Sequence, residues 1–250
     1  MSRYLQLQKR DHIGFVTINR PDKLNAYNTD LLVELAELLS IISATDDIRV
    51  VVLQSSGTEA FIAGADISEV VHLNQIGYRE YVDKFIRVWE TIENLTQPVI
   101  AKVAGYAFGG GCLTTLSCDL VMAAENAKFG QQEINFGILG GPAVLPRIVG
   151  RYKAAEIVML GEVFDAHEAY RIGIVNRIVP LDKLDEATLE IAAKMAKKPK
   201  LALQMAKYSL RIGYTEHAAI ARQYERDLAC LAFGDDEGKR NMQRFLSKKG

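Results

Sequence analysis

Cysteine is scarce in this 250-residue chain: three residues, at 112, 118 and 230, form neither a disulfide framework nor a zinc-ligand spacing. Four scattered histidines offer no metal cluster. Charge of one sign is missing too. Thirty basic against 31 acidic residues leave a net charge of −1, with no field to draw in nucleic acid or anionic lipid. No apolar run approaches the roughly 20 residues of a membrane span. An apolar leader core and a peroxisomal ending are lacking as well, so a reducing cytoplasm is the expected location. The chain has no Gly-x-Gly-x-x-Gly fingerprint, no P-loop and no Gly-x-Ser-x-Gly elbow. Dinucleotide binding, P-loop phosphoryl transfer and the commonest serine-hydrolase design are thereby set aside.

What the chain does have is 49% hydrophobic residues in alternating strand and helix patterns. Tyr4–Gln8 and Ile13–Asn19 read as strands joined by a turn at Asp11-His12. Thr29–Ile42 places Leu31, Leu32, Leu35, Leu38, Leu39 and Ile42 on one helical face, with Asn28 or Thr29 as N-cap. Ile48–Leu53 reads as a strand covered on both faces. Tyr78–Leu95 is a helix, followed by strand Val99–Val103, a short helix at Leu113–Ser117 and strand Leu120–Ala124. Pro142–Leu160 is helical with a break at Gly150; Asp165 caps Ala166–Ile172, and Ile174–Val179 is a strand. From Leu181 onward the pattern is helical throughout, over 182–197, 200–212, 215–232 and 235–247. That order predicts an α/β core over 1–180 and a helical region over 181–250.

Three segments carry the chemistry: Ala63-Gly64-Ala65-Asp66-Ile67, Tyr106-Ala107-Phe108-Gly109-Gly110-Gly111-Cys112-Leu113, and Phe129-Gly130-Gln131-Gln132-Glu133-Ile134-Asn135-Phe136-Gly137. A glycine run between a strand and a helix lets the backbone come close to a ligand and aim free N–H groups at it. In this order and spacing, together with Lys23-Leu24-Asn25-Ala26, the segments resemble the crotonase (enoyl-CoA hydratase/isomerase) superfamily over nearly the whole chain. The resemblance implies a spiral of stacked strand–strand–helix units, with a C-terminal helical region that packs trimers, commonly two to a hexamer. A doubly wound sheet would produce the same strand and helix strings.

By the same resemblance, Ala65 and Gly110 supply the two N–H groups of an oxyanion hole for a thioester enolate, and Glu133 is the catalytic carboxylate. Ala63, Asp66 and Ile67 would line the ligand, and the Lys23–Ala26 loop would meet the adenine of CoA. Lys248 would reach a CoA phosphate. Coenzyme A enters as part of the substrate; no metal or separate cofactor is implied. Hydratases of this family carry a second glutamate directly after Gly-Gly-Gly-Cys, where this chain has Leu113. Leucine has neither donor nor acceptor. A shift of a double bond needs only one base, so a Δ3,Δ2-enoyl-CoA isomerase is the expected activity. A hydratase or hydratase-lyase that holds water by other groups is the alternative. In that case His72, Tyr78 and Tyr81 are the residues to consider. An acyl-CoA-binding or RNA-binding scaffold is the non-enzymatic alternative, disfavoured by the intact Glu133 and the balanced charge. Cys112 reads as a small buried filler.

Overall fold

The computed structural model describes residues 3–247. Strands β1 (Leu5–Arg10) and β2 (Ile13–Ile18) form an antiparallel hairpin, in register from Leu5 opposite Ile18 to Arg10 opposite Ile13. Helix α1 (Thr29–Ser43) follows, capped by the Asn28 side chain, which accepts from the Leu31 amide. Of its predicted apolar face, Leu31, Leu32, Leu35, Leu39 and Ile42 are buried and Leu38 is half-buried.

Each later turn of the chain then repeats one plan. β3 (Val50–Ser55) joins the large sheet and β4 (Ala60–Ile62) starts a smaller one, before α2 (Ile67–Val70) and α3 (Gln75–Asn94). β5 (Val99–Val103), β6 (Tyr106–Phe108) and α4 (Gly110–Ser117) form the next turn. β7 (Leu120–Ala124) and β8 (Lys128–Gly130) lead into α5 (Leu145–Val149) and α6 (Arg151–Leu160). β9 (Val163–Asp165), α7 (Ala166–Arg171) and β10 (Arg177–Val179) close the core. The six-stranded sheet runs β1-β2-β3-β5-β7-β10, and the four-stranded one runs β4-β6-β8-β9. Two sheets climbed in step by strand, strand and helix make the spiral; a doubly wound fold would have put all strands in one sheet.

Burial of β3 on both faces follows from its position. Val51 and Leu53 point into the main core with Val99, Ala101 and the inner faces of α1 and α3. Val50 and Val52 point the other way, with Ile100, Met122 and Ala124, and are sealed by Leu184, Ala192 and Ala196 of α8 (Leu184–Ala196). The first helix after residue 180 therefore packs on the sheet. Beyond it, α9 (Lys200–Thr215), α10 (Ala218–Phe233) and α11 (Asp236–Ser247) project from the core. Polar contacts tie them back, among them the Arg49–Glu237 and Lys200–Asp46 pairs. Buried Lys207 donates to the Ile92 and Gln97 carbonyls at 2.9 and 3.1 Å and pairs with Asp119 at 2.8 Å.

Several boundaries differ from the sequence reading. The helix expected at Leu113–Ser117 begins three residues earlier, at Gly110, because Gly109 (φ +52°, ψ −122°) makes a turn into it that other residues strongly disfavour. Residues 142–144 are turn rather than helix, and α5 starts at Leu145. The strand expected from Ile174 is reduced to Arg177–Val179, since the Ile174 and Val175 amides bond back to Ala169.

Candidate active site

Where β4 and β6 end, side by side and parallel, the Ala63–Ala65 segment lies against the Phe108–Gly110 turn. A Cβ on Gly64 would sit 3.2 Å from the Phe108 carbonyl oxygen, and one on Gly111 would overlap the Ile62 carbonyl. The glycines thus permit a backbone approach that any side chain would block. Tyr27 pairs with this segment: its amide donates to the Gly64 carbonyl, and its own carbonyl accepts from the Asp66 amide. Those two bonds flank Ala65 and leave the Ala65 N–H pointing to the opposite side. The Gly110 N–H is the first of α4, where a helix has no internal acceptor and its dipole favours negative charge. Among the described residues no backbone acceptor takes either amide.

A side-chain network fixes α4. The Thr114 hydroxyl donates to the Gly110 carbonyl at 2.8 Å and accepts from Trp89 Nε1 at 3.2 Å, with Tyr27 Oη 3.0 Å away. No sequence signal singled out Tyr27, Thr114 or Trp89, because their partners lie 25 to 87 residues away.

Glu133 opens the 3-10 turn Glu133–Phe136. Its carboxylate lies over the glycine turn: a Cβ on Gly109 would be 3.0 Å from Oε1. Oε2 is buried without a hydrogen-bond partner. Burial raises the pKa of Glu133 above the ordinary glutamate value, with a backbone contact opposing in part. A carboxylate shifted toward neutral pH is well suited to exchange protons with substrate.

Ala65, Gly110 and Glu133 line one cavity of about 570 Å³. Its walls are mostly apolar: Phe85 and Trp89 from α3, Leu113 from α4, and Phe136, Ile138 and Leu139 beyond Glu133. Ala63, Ala65, Ile67, Gly110, Leu113 and Glu133 all line it, so the structure gathers six of the predicted site residues. Leu113 is 6% exposed and presents an aliphatic wall one turn down α4. Glu90 and Glu93 of α3 also reach the wall. Burial raises the pKa of Glu93, opposed in part by Ser117.

Asp66 stands apart from these six. It does not line the cavity; its carboxylate caps α2 through the Ser68 amide and pairs with Arg20 at 2.6 Å. Burial pushes that carboxyl up, but the Ser68 and Arg20 contacts outweigh it and leave the pKa below the usual range. Lys23 and Ala26 also stand off the cavity wall. Lys23 is exposed and Ala26 buried, on a loop whose Leu24 carbonyl accepts from the Ala63 amide. Lys248 lies outside the described residues. Cys112 is fully buried, and burial pushes its thiol up to about 12, which fits a filler rather than a nucleophile. Among the described residues no group of three or more His, Cys, Asp or Glu side chains is arranged to hold a metal ion.

The sequence pattern of the enoyl-CoA hydratase/isomerase family matches residues 8–250. The chain is 35% identical over 246 residues to a crotonyl-CoA hydratase of Syntrophomonas wolfei, covering 97% of this chain and 95% of that protein. It is likewise 35% identical over 246 residues to a short-chain-enoyl-CoA hydratase of Clostridium acetobutylicum, covering 97% and 94%. Among solved structures, an enoyl-CoA hydratase from Bacillus anthracis superposes with a TM-score of 0.95 at 32% identity, over 98% of this chain and 97% of that one.

Proposed function

This chain belongs to the enoyl-CoA hydratase/isomerase superfamily, and from that premise we propose that it hydrates a 2-enoyl-CoA thioester. The carrying observation is a carboxylate with one buried oxygen, Glu133, lining one mostly apolar cavity with two unpaired amides. In the hole, Ala65 and Gly110 hold the thioester oxygen as charge develops on it; one such donor is worth about 2.7–4 kcal/mol of barrier. One carboxylate suffices for the proton traffic. Water oxygen bonds to C3, the C2=C3 pair moves toward the thioester oxygen, and Glu133 takes the water proton. The enolate then collapses as C2 takes that proton back from Glu133. Leu113 therefore does not exclude hydration, and the names of the similar proteins favour it over the isomerase expected from the sequence.

The double-bond shift remains the second reading, on the specific observation that Leu113 is an aliphatic wall. In that reaction Glu133 removes a proton from C2 of a 3-enoyl-CoA and returns it to C4. Paired assays separate the two: crotonyl-CoA losing its conjugated absorbance supports hydration, and 3-enoyl-CoA gaining it supports isomerisation. Leu113→Glu should raise the first rate more than the second. Equal failure of both substrates would overturn the enzyme reading.

The Lys23–Ala26 loop is our proposal for the adenine end of CoA, because it bonds to the strand that carries the hole. We also propose a trimer-based assembly through α9–α11, supported by the apolar residues those helices expose. A reducing compartment suits the three free cysteines.

A further inference from the structure

Hydration by one carboxylate leaves a question of geometry. A water held only by Glu133 can swing about that single contact, and at position 113 the chain offers it no second partner. Three polar side chains of the segment after Asp66 are available by sequence: His72, Tyr78 and Tyr81. The structure separates them. His72 is exposed and off the cavity wall. Tyr81 reaches the wall with its ring, but its hydroxyl is spent: it donates to the Tyr27 carbonyl at 2.6 Å, and the residue is only 2% exposed.

Tyr78 differs from both. It lies one turn earlier on α3, half-buried, and lines the same cavity as Glu133 and Leu113. Its hydroxyl has no hydrogen-bond partner among the described residues. Burial first, and then the charge of Glu133, raise the pKa of that hydroxyl, so it stays a neutral donor facing a carboxylate. A phenol can both donate and accept, which is what a bridge to a water requires.

We propose that the Tyr78 hydroxyl is the second hydrogen-bond partner of the attacking water, a positioning residue in place of the side chain absent at 113. This rests on the hydratase reading. In the step itself Tyr78 neither gains nor loses a proton: the water proton goes to Glu133 and returns to C2, while the phenol holds the oxygen in line with C3. The same site without water performs a simpler reaction, in which Glu133 exchanges an α-proton of a saturated thioester held in the oxyanion hole. That reaction needs Glu133, Ala65 and Gly110 but no positioned water.

The test compares those two reactions in Tyr78→Phe. Crotonyl-CoA hydration should lose about tenfold in kcat, the size expected for one hydrogen bond, with KM within threefold. Exchange of butyryl-CoA α-protons in heavy water should stay within twofold. Hydration within twofold of wild type would overturn the proposal, and so would an equal fall in both rates, which marks a structural role. A wild-type protein that exchanges α-protons but adds no water would overturn the hydratase reading and the water-holding role together. Retained hydration in the variant overturns the Tyr78 role alone. Tyr81→Phe serves as the structural control, with both rates and the melting temperature falling together.

Discussion

Val50, Val51, Val52 and Leu53 of β3 are completely buried, whereas Leu210, Leu231, Phe233 and Leu246 of the last three helices are each at least 60% exposed. Both sets are strongly apolar. What differs is closure. The spiral places a strand of the large sheet between α1 and α3 on one side and α8 on the other, so every β3 residue from 50 to 53 finds a partner within the chain. In the tail, α10 buries only Leu228 and α11 buries none of its residues. Site geometry is set by the closed region, with no cavity wall drawn from the tail. The open region is tied to it through several polar contacts, of which Lys207 is the most buried. The lesson is that an apolar pattern gives a helix its face but does not say which chain will cover it.

The largest effect should come from the closed region. Glu133→Gln removes the base while keeping size, so hydration should fall about 10²–10⁴-fold, with the assembled mass by light scattering unchanged. A rate within tenfold of wild type in a folded variant would refute the assignment. A joint loss of mass and activity would break the division between the two regions. In the tail, Leu231→Asp combined with Phe233→Asp should reduce particle mass from three or six times 27.7 kDa toward 27.7 kDa. A wild-type protein that is already a clean monomer at micromolar concentration would refute the assembly.

The tie between the regions should be intermediate. Lys207→Met removes the cation beside Asp119, which among the described residues keeps only the Val99 amide as a donor, and takes one donor from the Ile92 and Gln97 carbonyls. Breaking a fully buried pair costs about 3–5 kcal/mol, and partial exposure of Asp119 discounts this to roughly 2–3 kcal/mol in a denaturant titration. No change in midpoint would mean that the tail is held by other contacts.

The smallest effect concerns pH. Because the folded-state pKa of Glu133 is raised, between the unfolded and folded pKa values the native protein holds a proton there that the unfolded chain has released. Stability must then fall as pH rises from the ordinary glutamate value through the raised one. Glu133→Gln should remove that contribution, so its melting temperature should exceed wild type by a few degrees near neutral pH, with the gap closing toward pH 4. A gap that widens on acidification would reverse the assigned shift.

Much of this fold was legible in sequence because long elements carry periodicity. Leu31 to Ile42 mark a helix face, and the β-branched run at Val50 marks a doubly covered strand. The second sheet was not, since β4, β6, β8 and β9 have three residues each, too few for an alternation to show. At the site, the motifs of Ala65, Gly110 and Glu133 pointed to one place, and the fold brings the three to one cavity. The engagement of Asp66 was not legible, because only the fold brings Arg20, 46 residues earlier, against it. The free hydroxyl of Tyr78 and the spent one of Tyr81 were indistinguishable for the same reason.

Tyr27 has one more consequence. Its peptide unit is laced on both sides to the Gly64–Asp66 strand, and the preceding residues form the Lys23–Ala26 loop, itself bonded to Ala63. The two places proposed to grip opposite ends of a CoA thioester are therefore rungs of one short ladder. On the proposed roles, a grip at the nucleotide end is linked through backbone hydrogen bonds to the Ala65 amide. Shortening the substrate to a pantetheine thioester should cost turnover as well as affinity, because a distant grip helps to hold the reacting carbonyl still.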